Sequence, residues 1–197
     1  MRPRIDGDSR RKHARRPRAA ATPRASRRGA APRVVFFVGS DSDLPAVEPA
    51  LAVLDRFGVS NDLRIASAHR SPESVRAHVA HYEAGGTQVF VCAAGMAAHL
   101  AGAVAALTTR PVIGIPLASG PLSGFDALLS TVQMPPGVPV ATVAVGPAGA
   151  LNAAWLALRT LALSDDDLAA RLLVARSETA ADIARKDEKR RAPRREA

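Results

Sequence analysis

The chain has 197 residues, enough for one ordinary domain, and a formal net charge of +9 at pH 7. That charge lies at the two ends. Residues 1–33 carry a net +10 and residues 185–197 a net +4, whereas residues 34–184 hold 8 Arg against 13 Asp and Glu, a net −5. No apolar run approaches the roughly 18 residues of a membrane-spanning helix, and the basic start lacks the apolar segment of a secretory signal peptide. The sequence predicts an acidic folded body with basic ends and no membrane segment.

The single cysteine, Cys92, excludes an internal disulfide and a zinc cluster built on thiolates. Hydrophobic residues make up 47% of the chain but aromatic residues only 4%, so the core must consist mainly of Ala, Val and Leu. This composition favours a tightly packed parallel sheet with small-residue helices. The reducing cytoplasm is the expected compartment.

Residues 1–32 combine clustered Arg with Ala and Pro and almost no large apolar side chain, which predicts a disordered basic leader. An organellar transit peptide is one alternative interpretation, although no amphipathic stripe supports it. Another is a nucleic-acid-interacting protein whose basic ends contact phosphates in a salt-sensitive way. No aromatic residues accompany the Arg clusters to stack on bases, so we expect no specific recognition of single strands.

Strand and helix patterns alternate along the rest of the chain. Apolar or β-branched segments predict strands at 34–38, 63–66, 88–92, 112–115 and 140–145. The intervening and final segments predict helices at 44–57, 73–83, 94–107, 126–132, 148–163 and 165–184, with Asp43 as a candidate N-cap of the first helix. This alternation favours a parallel sheet with helices on both faces, and in such sheets ligands bind beyond the carboxyl ends of the strands.

Polar segments follow the first three strands. The first, G-S-D-S-D at 39–43, offers hydroxyls and backbone N–H groups to an anion at a helix start. Asp41 and Asp43 would repel a phosphate unless they bind sugar hydroxyls, and a capping cluster without a ligand is the alternative. The second, S-A-H-R-S-P at 67–72, contains His69, whose imidazole can give and take protons near neutral pH. It also contains Arg70, whose planar guanidinium suits a phosphate or carboxylate.

The third segment, A-A-G-M-A-A-H-L-A-G at 93–102, is built from small residues that let a backbone approach a ligand closely. Its histidine, His99, is either a buried hydrogen-bonded residue or part of a site, and the sequence leaves both open. We interpret His78 and His81 as solvated residues of the second helix.

Five motifs in order resemble the N5-carboxyaminoimidazole ribonucleotide mutase family, the catalytic subunit of phosphoribosylaminoimidazole carboxylase. They are G-S-D-S-D, S-A-H-R-S-P, A-A-H-L, L-S-G-F-D-A-L-L-S-T-V-Q-M-P and G-V-P-V-A-T-V-A-V-G, and the resemblance covers about residues 34–175. It implies a single-domain, three-layer α/β/α fold with a flavodoxin-like or Rossmann-like parallel sheet of about five strands, assembled into a homo-octamer. We therefore expect a catalytic domain at 33–175, followed at 176–197 by a helix end and basic tail.

The resemblance also implies an isomerase of de novo purine biosynthesis. In this reaction the carboxyl group of a ribonucleotide substrate moves from N5 to C4 without a metal or organic cofactor. By motif, His69 would be the proton shuttle and His99 would lie beside the reacting carboxyl group. The implied substrate-binding residues are Ser40, Ser42, Asp43, Ser67, Arg70, Gly95 and Leu100.

A second branch of the family carboxylates aminoimidazole ribonucleotide directly with CO2, and it usually has Lys in place of Arg70, so the motifs favour the mutase. The chain also departs from the family: Met96 stands where Gly is usual, Ala101 where Pro is usual, and Gly120-Pro121 replaces an Ala-like pair. These changes are either neutral or the mark of a paralogue acting on another ribonucleotide, and both this paralogue and the direct carboxylase stay open as alternatives.

Overall fold

The computed structural model of the chain describes residues 31–191. The expected leader at 1–32, apart from Ala31 and Pro32, and the end of the basic tail at 192–197 lie outside the described residues. Among the helices of the described part, none is long and apolar enough to cross a membrane.

Five parallel strands form one sheet in the order β2-β1-β3-β4-β5. The strands are β1 (Val34–Val38), β2 (Asn61–Ile65), β3 (Val89–Gly95), β4 (Val112–Leu117) and β5 (Ala141–Thr142). The helices are α1 (Leu44–Arg56), α2 (Pro72–Gly85), α3 (Leu100–Ala105), α4 (Phe125–Val132), α5 (Pro147–Ala162) and α6 (Asp166–Arg191). This strand order is that of flavodoxin-like sheets, which bind ligands at the carboxyl ends of the strands beside the point where the order reverses.

The side chains of β1 alternate between two cores because successive residues of a strand point to opposite faces. Val34, Phe36 and Val38 pack with apolar residues of α1, α5 and α6. Val35 and Phe37 pack with apolar residues of α2 and α3. All five side chains are fully buried. The predicted three-layer, single-domain α/β/α fold is confirmed.

Most predicted boundaries are correct to within a few residues, but the third helix is not. It was expected to begin at 94, and it begins at Leu100. The preceding strand continues to Gly95, which pairs with Leu117 of β4, and Met96 then has a left-handed backbone with φ 54°. Residues 96–99 therefore form a loop that carries the chain from the sheet edge to the helix.

The fifth strand is shorter than predicted and the last helix is longer. Pairing of β5 with β4 covers only two residues, because Pro116 in β4 has no N–H to donate towards β5. Helix α6 continues past its predicted end at 184 to Arg191. Ion pairs one helical turn apart support this last part, with Lys186 Nζ 2.7 Å from Asp182 and Arg191 Nε 3.1 Å from Asp187.

Candidate active site

Three loops meet at the carboxyl edge of the sheet, where β2, β1 and β3 are neighbours. Arg70, in the loop after β2, donates from Nη2 to the carbonyl oxygen of Gly39 at the end of β1, at 2.7 Å. In the same loop, His69 Nε2 lies 2.8 Å from Nδ1 of His99, in the loop after β3. The parallel sheet thus brings together the three polar segments that the sequence singles out.

The two aspartates of the loop after β1 have different surroundings. Asp43 is only 8% exposed and accepts the backbone N–H of Ser40 at 3.1 Å. Burial raises the pKa of Asp43, although the hydrogen bond from Ser40 and the charge of Arg70 oppose this shift. Asp43 stands at the N-cap position of α1, as predicted, but its side chain makes no capping hydrogen bond to that helix and instead closes the turn before it.

Asp41 faces outwards in the same turn. It accepts the Ser40 hydroxyl at 2.9 Å and the Ser42 N–H at 3.0 Å, and these hydrogen bonds lower its pKa. Asp41 is therefore a carboxylate at neutral pH, and it is available to hydroxyl groups of a ligand.

Arg70 is held across the gap between the loops after β2 and β1. Its Nε donates to Ser67 Oγ at 3.4 Å and its backbone N–H to the same oxygen at 3.2 Å, while Nη2 reaches Gly39. Among residues 31–191 it forms no salt bridge. Its positive charge is thus oriented by neutral acceptors and is left for an anionic ligand.

A cleft of about 400 Å³ opens beside Arg70, within the size range of small-molecule sites. Its lining residues come from the ends of β1 and β2 and the loops after them: Gly39, Ser40, Asp41, Ile65, Ser67, Arg70 and Ser71. A larger groove of about 1280 Å³ lies between α5 and α6. Its lining contains no His, Asp, Glu, Cys, Lys or Tyr, so it offers no group for acid–base chemistry.

The two histidines form an exposed pair, and His69 directly precedes Arg70 of this cleft in the chain. Their ring centroids are 4.9 Å apart and the rings are inclined by 77°. In a hydrogen bond between two imidazole nitrogens one nitrogen donates and the other accepts, so the pair shares one proton between these atoms. The arrangement can deliver a proton to a bound molecule and take one back.

The two predicted binding residues that flank the loop after β3 have different surroundings. Gly95 lies against Ser119 in the loop after β4, where a Cβ on Gly95 would overlap the serine side chain. The Leu100 side chain is 2% exposed and belongs to the core on the α2 and α3 face. A ligand contact by Leu100 would therefore have to come from its main chain.

The cleft includes residues that the sequence did not single out as binding residues. Asp41 lies in the G-S-D-S-D motif and Ser71 in the S-A-H-R-S-P motif, so the sequence could have identified both as binding residues. Ile65 was placed inside a predicted strand, and its exposed side chain follows from its position at the end of an edge strand.

In residues 31–191, His, Cys, Asp and Glu side chains form no group of three that could hold a metal ion.

Comparison with known proteins shows which family this chain belongs to. The sequence model of a family described as AIR carboxylase matches residues 33–182. The chain belongs to the AIR carboxylase family. Members of the family with similar sequences include an N5-carboxyaminoimidazole ribonucleotide mutase of Methanocaldococcus jannaschii, 47% identical over 79% of this chain and 96% of the relative. Another mutase of that name, from Brucella melitensis, is 50% identical over 71% of this chain and 86% of the relative.

Two further comparisons extend the family resemblance. A chloroplastic phosphoribosylaminoimidazole carboxylase of Vigna aconitifolia is 49% identical over 70% of this chain, which matches 24% of that longer protein. Among solved structures, Treponema denticola PurE superposes with a TM-score of 0.73 at 30% identity, covering 79% of this chain and 96% of the other. The AIR carboxylase fold is therefore shared as well as the sequence.

Proposed function

We propose that the chain is an N5-carboxyaminoimidazole ribonucleotide mutase, an isomerase that makes 4-carboxy-5-aminoimidazole ribonucleotide in purine biosynthesis. The observation that carries this function is the direct hydrogen bond between His69 and His99, in a member of the AIR carboxylase family whose relatives of 47% and 50% identity bear the mutase name. A proton-sharing pair beside an anion-binding cleft is what an internal carboxyl transfer requires.

The reaction balances without an oxidant or a net change in protons. The bond between N5 and the carboxyl carbon breaks, its electron pair goes to N5, and N5 takes a proton from an imidazolium while CO2 is released. C4 of the electron-rich ring then uses an electron pair to bond CO2. The proton on C4 finally returns to the neutral imidazole, so one histidine can serve as both acid and base.

We assign the proton shuttle to His69 and propose that His99 lies beside the reacting carboxyl group. The division follows the motifs, and the 2.8 Å contact supports a joint role because it orients the two rings towards each other. In the chain, His69 also stands between Ser67 and Arg70, which line the cleft, and this position supports a role for its ring beside a ligand held there.

We propose that the substrate phosphate and carboxylate are bound by Arg70 and Ser67, and the ribose by the loop after β1. The charge of Arg70, which forms no salt bridge within residues 31–191, and the hydroxyls of the cleft support the first assignment. The outward carboxylate of Asp41 supports the second, because carboxylate oxygens accept ribose hydroxyls. The proposed contacting residues are those implied by the motifs, Ser40, Ser42, Asp43, Ser67, Arg70, Gly95 and Leu100, together with Asp41, which lines the cleft.

Two parallel assays test this function. The purified full-length chain should convert the N5-carboxy ribonucleotide to its C4 isomer without ATP, and it should act far less well on aminoimidazole ribonucleotide with bicarbonate. The reverse preference would establish the direct carboxylase. Turnover of neither substrate would favour a paralogue acting on another ribonucleotide.

A homo-octamer is the assembly that we propose. Apolar side chains exposed on one face of α4 support it: Phe125, Leu129 and Val132 lie at positions that share a face, and Leu122 precedes them. Light scattering coupled to size exclusion should give the octamer mass. Phe125→Glu should lower that mass, while Ala80→Glu on an exposed part of α2 should leave it unchanged.

We further propose the cytoplasm as compartment and residues 33–175 as the catalytic domain, with 176–197 as helix end and tail. A lone cysteine that cannot form an internal disulfide suits a reducing compartment. The core clusters extend as far as Ala175, and residues 176–181 of α6 are exposed, which supports the boundary. Truncation after 175 should preserve secondary structure and activity if this boundary is right.

A further inference from the structure

One large apolar side chain lines the cleft beside Arg70. Ile65, the last residue of β2, is 52% exposed and belongs to this lining. The other lining residues offer hydroxyls, a carboxylate, a guanidinium or, at Gly39, main-chain groups. An isoleucine side chain neither donates nor accepts a hydrogen bond, so it adds no polar contact to a bound anion or hydroxyl. Its position in the cleft points to an apolar part of the ligand.

The fold places Ile65 between one core of the sheet and the loop after β1. Side chains two residues apart on a strand share a face, and Leu63 packs on the core that faces α1 and α5. Ile65 lies one step further along that face, and it is in register with Val38, the fully buried last residue of β1. After Val38 the chain enters the turn at 39–43, which contributes Asp41 to the same cleft.

The proposed substrate has both polar and apolar surface at its sugar. The phosphate and the ribose hydroxyls are polar, and the ring carbons present C–H bonds on the face of the sugar. Asp41 offers a carboxylate to the hydroxyls and Arg70 offers a positive charge to the phosphate. Within the lining of this cleft, Ile65 is the side chain whose chemistry matches the C–H bonds.

We propose that Ile65 is a specificity-determining residue that packs against the C–H face of the substrate ribose. The proposal rests on the mutase function above, because the ribose is that of the ribonucleotide substrate. Ile65 binds the sugar and makes no contribution to binding of the phosphate. The carboxyl transfer takes place on the imidazole ring and leaves the sugar unchanged, so this contact is equal in the bound substrate and in the transition state. Such a contact lowers KM and does not raise kcat.

Steady-state isomerisation tests the kinetic part of the proposal. The full-length protein is compared with Ile65→Ser, Ile65→Val and Ile183→Ser. Ile65→Ser should raise KM by roughly 10-fold at unchanged kcat, the order expected for loss of a small apolar contact. Ile65→Val should keep nearly the original KM, because valine retains a branched apolar side chain. Ile183→Ser is the matched control, since Ile183 is an exposed isoleucine of α6 outside this cleft, and it should change neither constant.

Calorimetric titration of the full-length proteins separates the sugar from the phosphate. Ile65→Ser should weaken binding of ribose 5-phosphate by a similar factor and leave binding of inorganic phosphate unchanged, because Ser67 and Arg70 remain. Weakening of both ligands equally, weakening of neither, or failure of the unmodified protein to bind ribose 5-phosphate would overturn the proposal. A smaller light-scattering mass of Ile65→Ser would also overturn it, because Ile65 would then contact a second copy of the chain.

The two measurements distinguish failure of this role from failure of the proposed function. Normal turnover by Ile65→Ser with unchanged KM refutes only the role of Ile65, and so does a fall in kcat at unchanged KM. If the unmodified protein consumes no N5-carboxy ribonucleotide, the mutase function itself has failed. The titrations with ribose 5-phosphate and inorganic phosphate then still decide whether Ile65 contacts a sugar.

Discussion

The two edges of the sheet use their polar residues differently. At the amino edge, before β1, Arg33 Nη1 lies 2.7 Å from Asp165 Oδ2 and Nε donates to Gln88 Oε1 at 2.8 Å. There too the Thr87 hydroxyl donates to the carbonyl of Pro32 at 2.7 Å. At the carboxyl edge, His69 and Arg70 are exposed, and Arg70 is held by neutral oxygens alone among residues 31–191. One edge pairs its charges within the protein, whereas at the other edge Arg70 has no carboxylate partner within salt-bridge distance in the part of the chain that the structure describes.

Because of this difference, the residues that stabilise the fold and the residues proposed to act on the substrate lie at opposite edges of the sheet. Charged groups that are paired inside the protein add to the free energy of unfolding, whereas groups kept available for substrate do not, and strained residues subtract from it. Substitutions of the exposed His69 and Arg70 at the carboxyl edge should therefore change turnover and leave stability almost unchanged. Substitutions at the amino edge should do the opposite.

The largest expected effect is that of His69→Asn on isomerisation. Loss of a general acid–base group typically lowers the rate by about 10²- to 10⁴-fold, and the exposed position of His69 predicts an unchanged melting temperature. Initial rates and thermal melts of the full-length protein measure both. The matched control is His81→Asn, an exposed histidine of α2, which should remain fully active. A His69→Asn variant with turnover near that of the unmodified protein would contradict the shuttle role.

Arg70→Lys should mainly weaken substrate binding. Lysine has one ammonium group and cannot bond Ser67, Gly39 and a ligand oxygen together, as the planar guanidinium can. Losing a hydrogen bond between charged groups corresponds to roughly a 10- to 100-fold rise in KM. Steady-state kinetics test this, with Arg76→Lys, an exposed residue paired with Glu73, as control. Equal KM values for the two variants would contradict a specific contribution of the Arg70 guanidinium to substrate binding.

Asp165→Asn should lower stability in a pH-dependent way and leave activity intact. The hydrogen bond from Arg33, and then that from the Leu168 N–H, hold the pKa of Asp165 below its ordinary value. The stabilisation is therefore complete above the unfolded pKa of about 3.9 and disappears as the pH falls through the lower folded value. Asparagine can still cap α6 at Leu168, so the substitution removes mainly the charge.

Urea unfolding between neutral and acidic pH measures this effect. We expect a difference of about 1 kcal/mol from the unmodified protein near neutral pH, because the pair is partly screened by solvent. It should shrink towards zero below about pH 4. Asp167→Asn in the first turn of α6 is the control. A difference that persisted unchanged at acidic pH would show that the Arg33 pair does not cause it.

The smallest expected effect is a gain of stability at the carboxyl edge. Ser123→Gly should stabilise the protein by up to about 1 kcal/mol, because glycine adopts the left-handed region without steric cost. Ser177→Gly in α6 should instead destabilise it by roughly 0.5 kcal/mol, as expected for glycine inside a helix. Chemical denaturation compares the two. Destabilisation by both substitutions would mean that the conformation of Ser123 carries no strain.

The sequence predicted the sheet because the apolar runs of its strands and the polar segments after them are local signals. Residues 34–38 were placed correctly for that reason. The start of α3 was wrong because small residues at 94–99 suit a helix locally, while pairing of Gly95 with Leu117 decides the conformation over a long range. Likewise, Pro116 shortens β5 because its missing N–H lies on the side of β4 that faces β5, and the sequence alone does not show which strand lies on that side.

The candidate site was predictable as a set of loops but not as contacts. Spacing could not show that His69 bonds His99 or that Arg70 reaches Gly39, because both contacts join loops some 30 residues apart in sequence. Met96 was identified as an unusual residue. Its left-handed backbone and its position over Gly120 became visible only in three dimensions.

The point at which the chain enters the sheet also determines where a fusion partner or a solid support would be attached relative to the histidine pair. Residues 31–33 are fastened at the amino edge, where the Arg33 N–H donates to Ser60 and its side chain to Asp165 and Gln88. A fusion partner, fluorophore or bead linked ahead of Ala31 would therefore start from the edge opposite to the His69–His99 pair. The chain would present its histidine pair on the side away from the linkage.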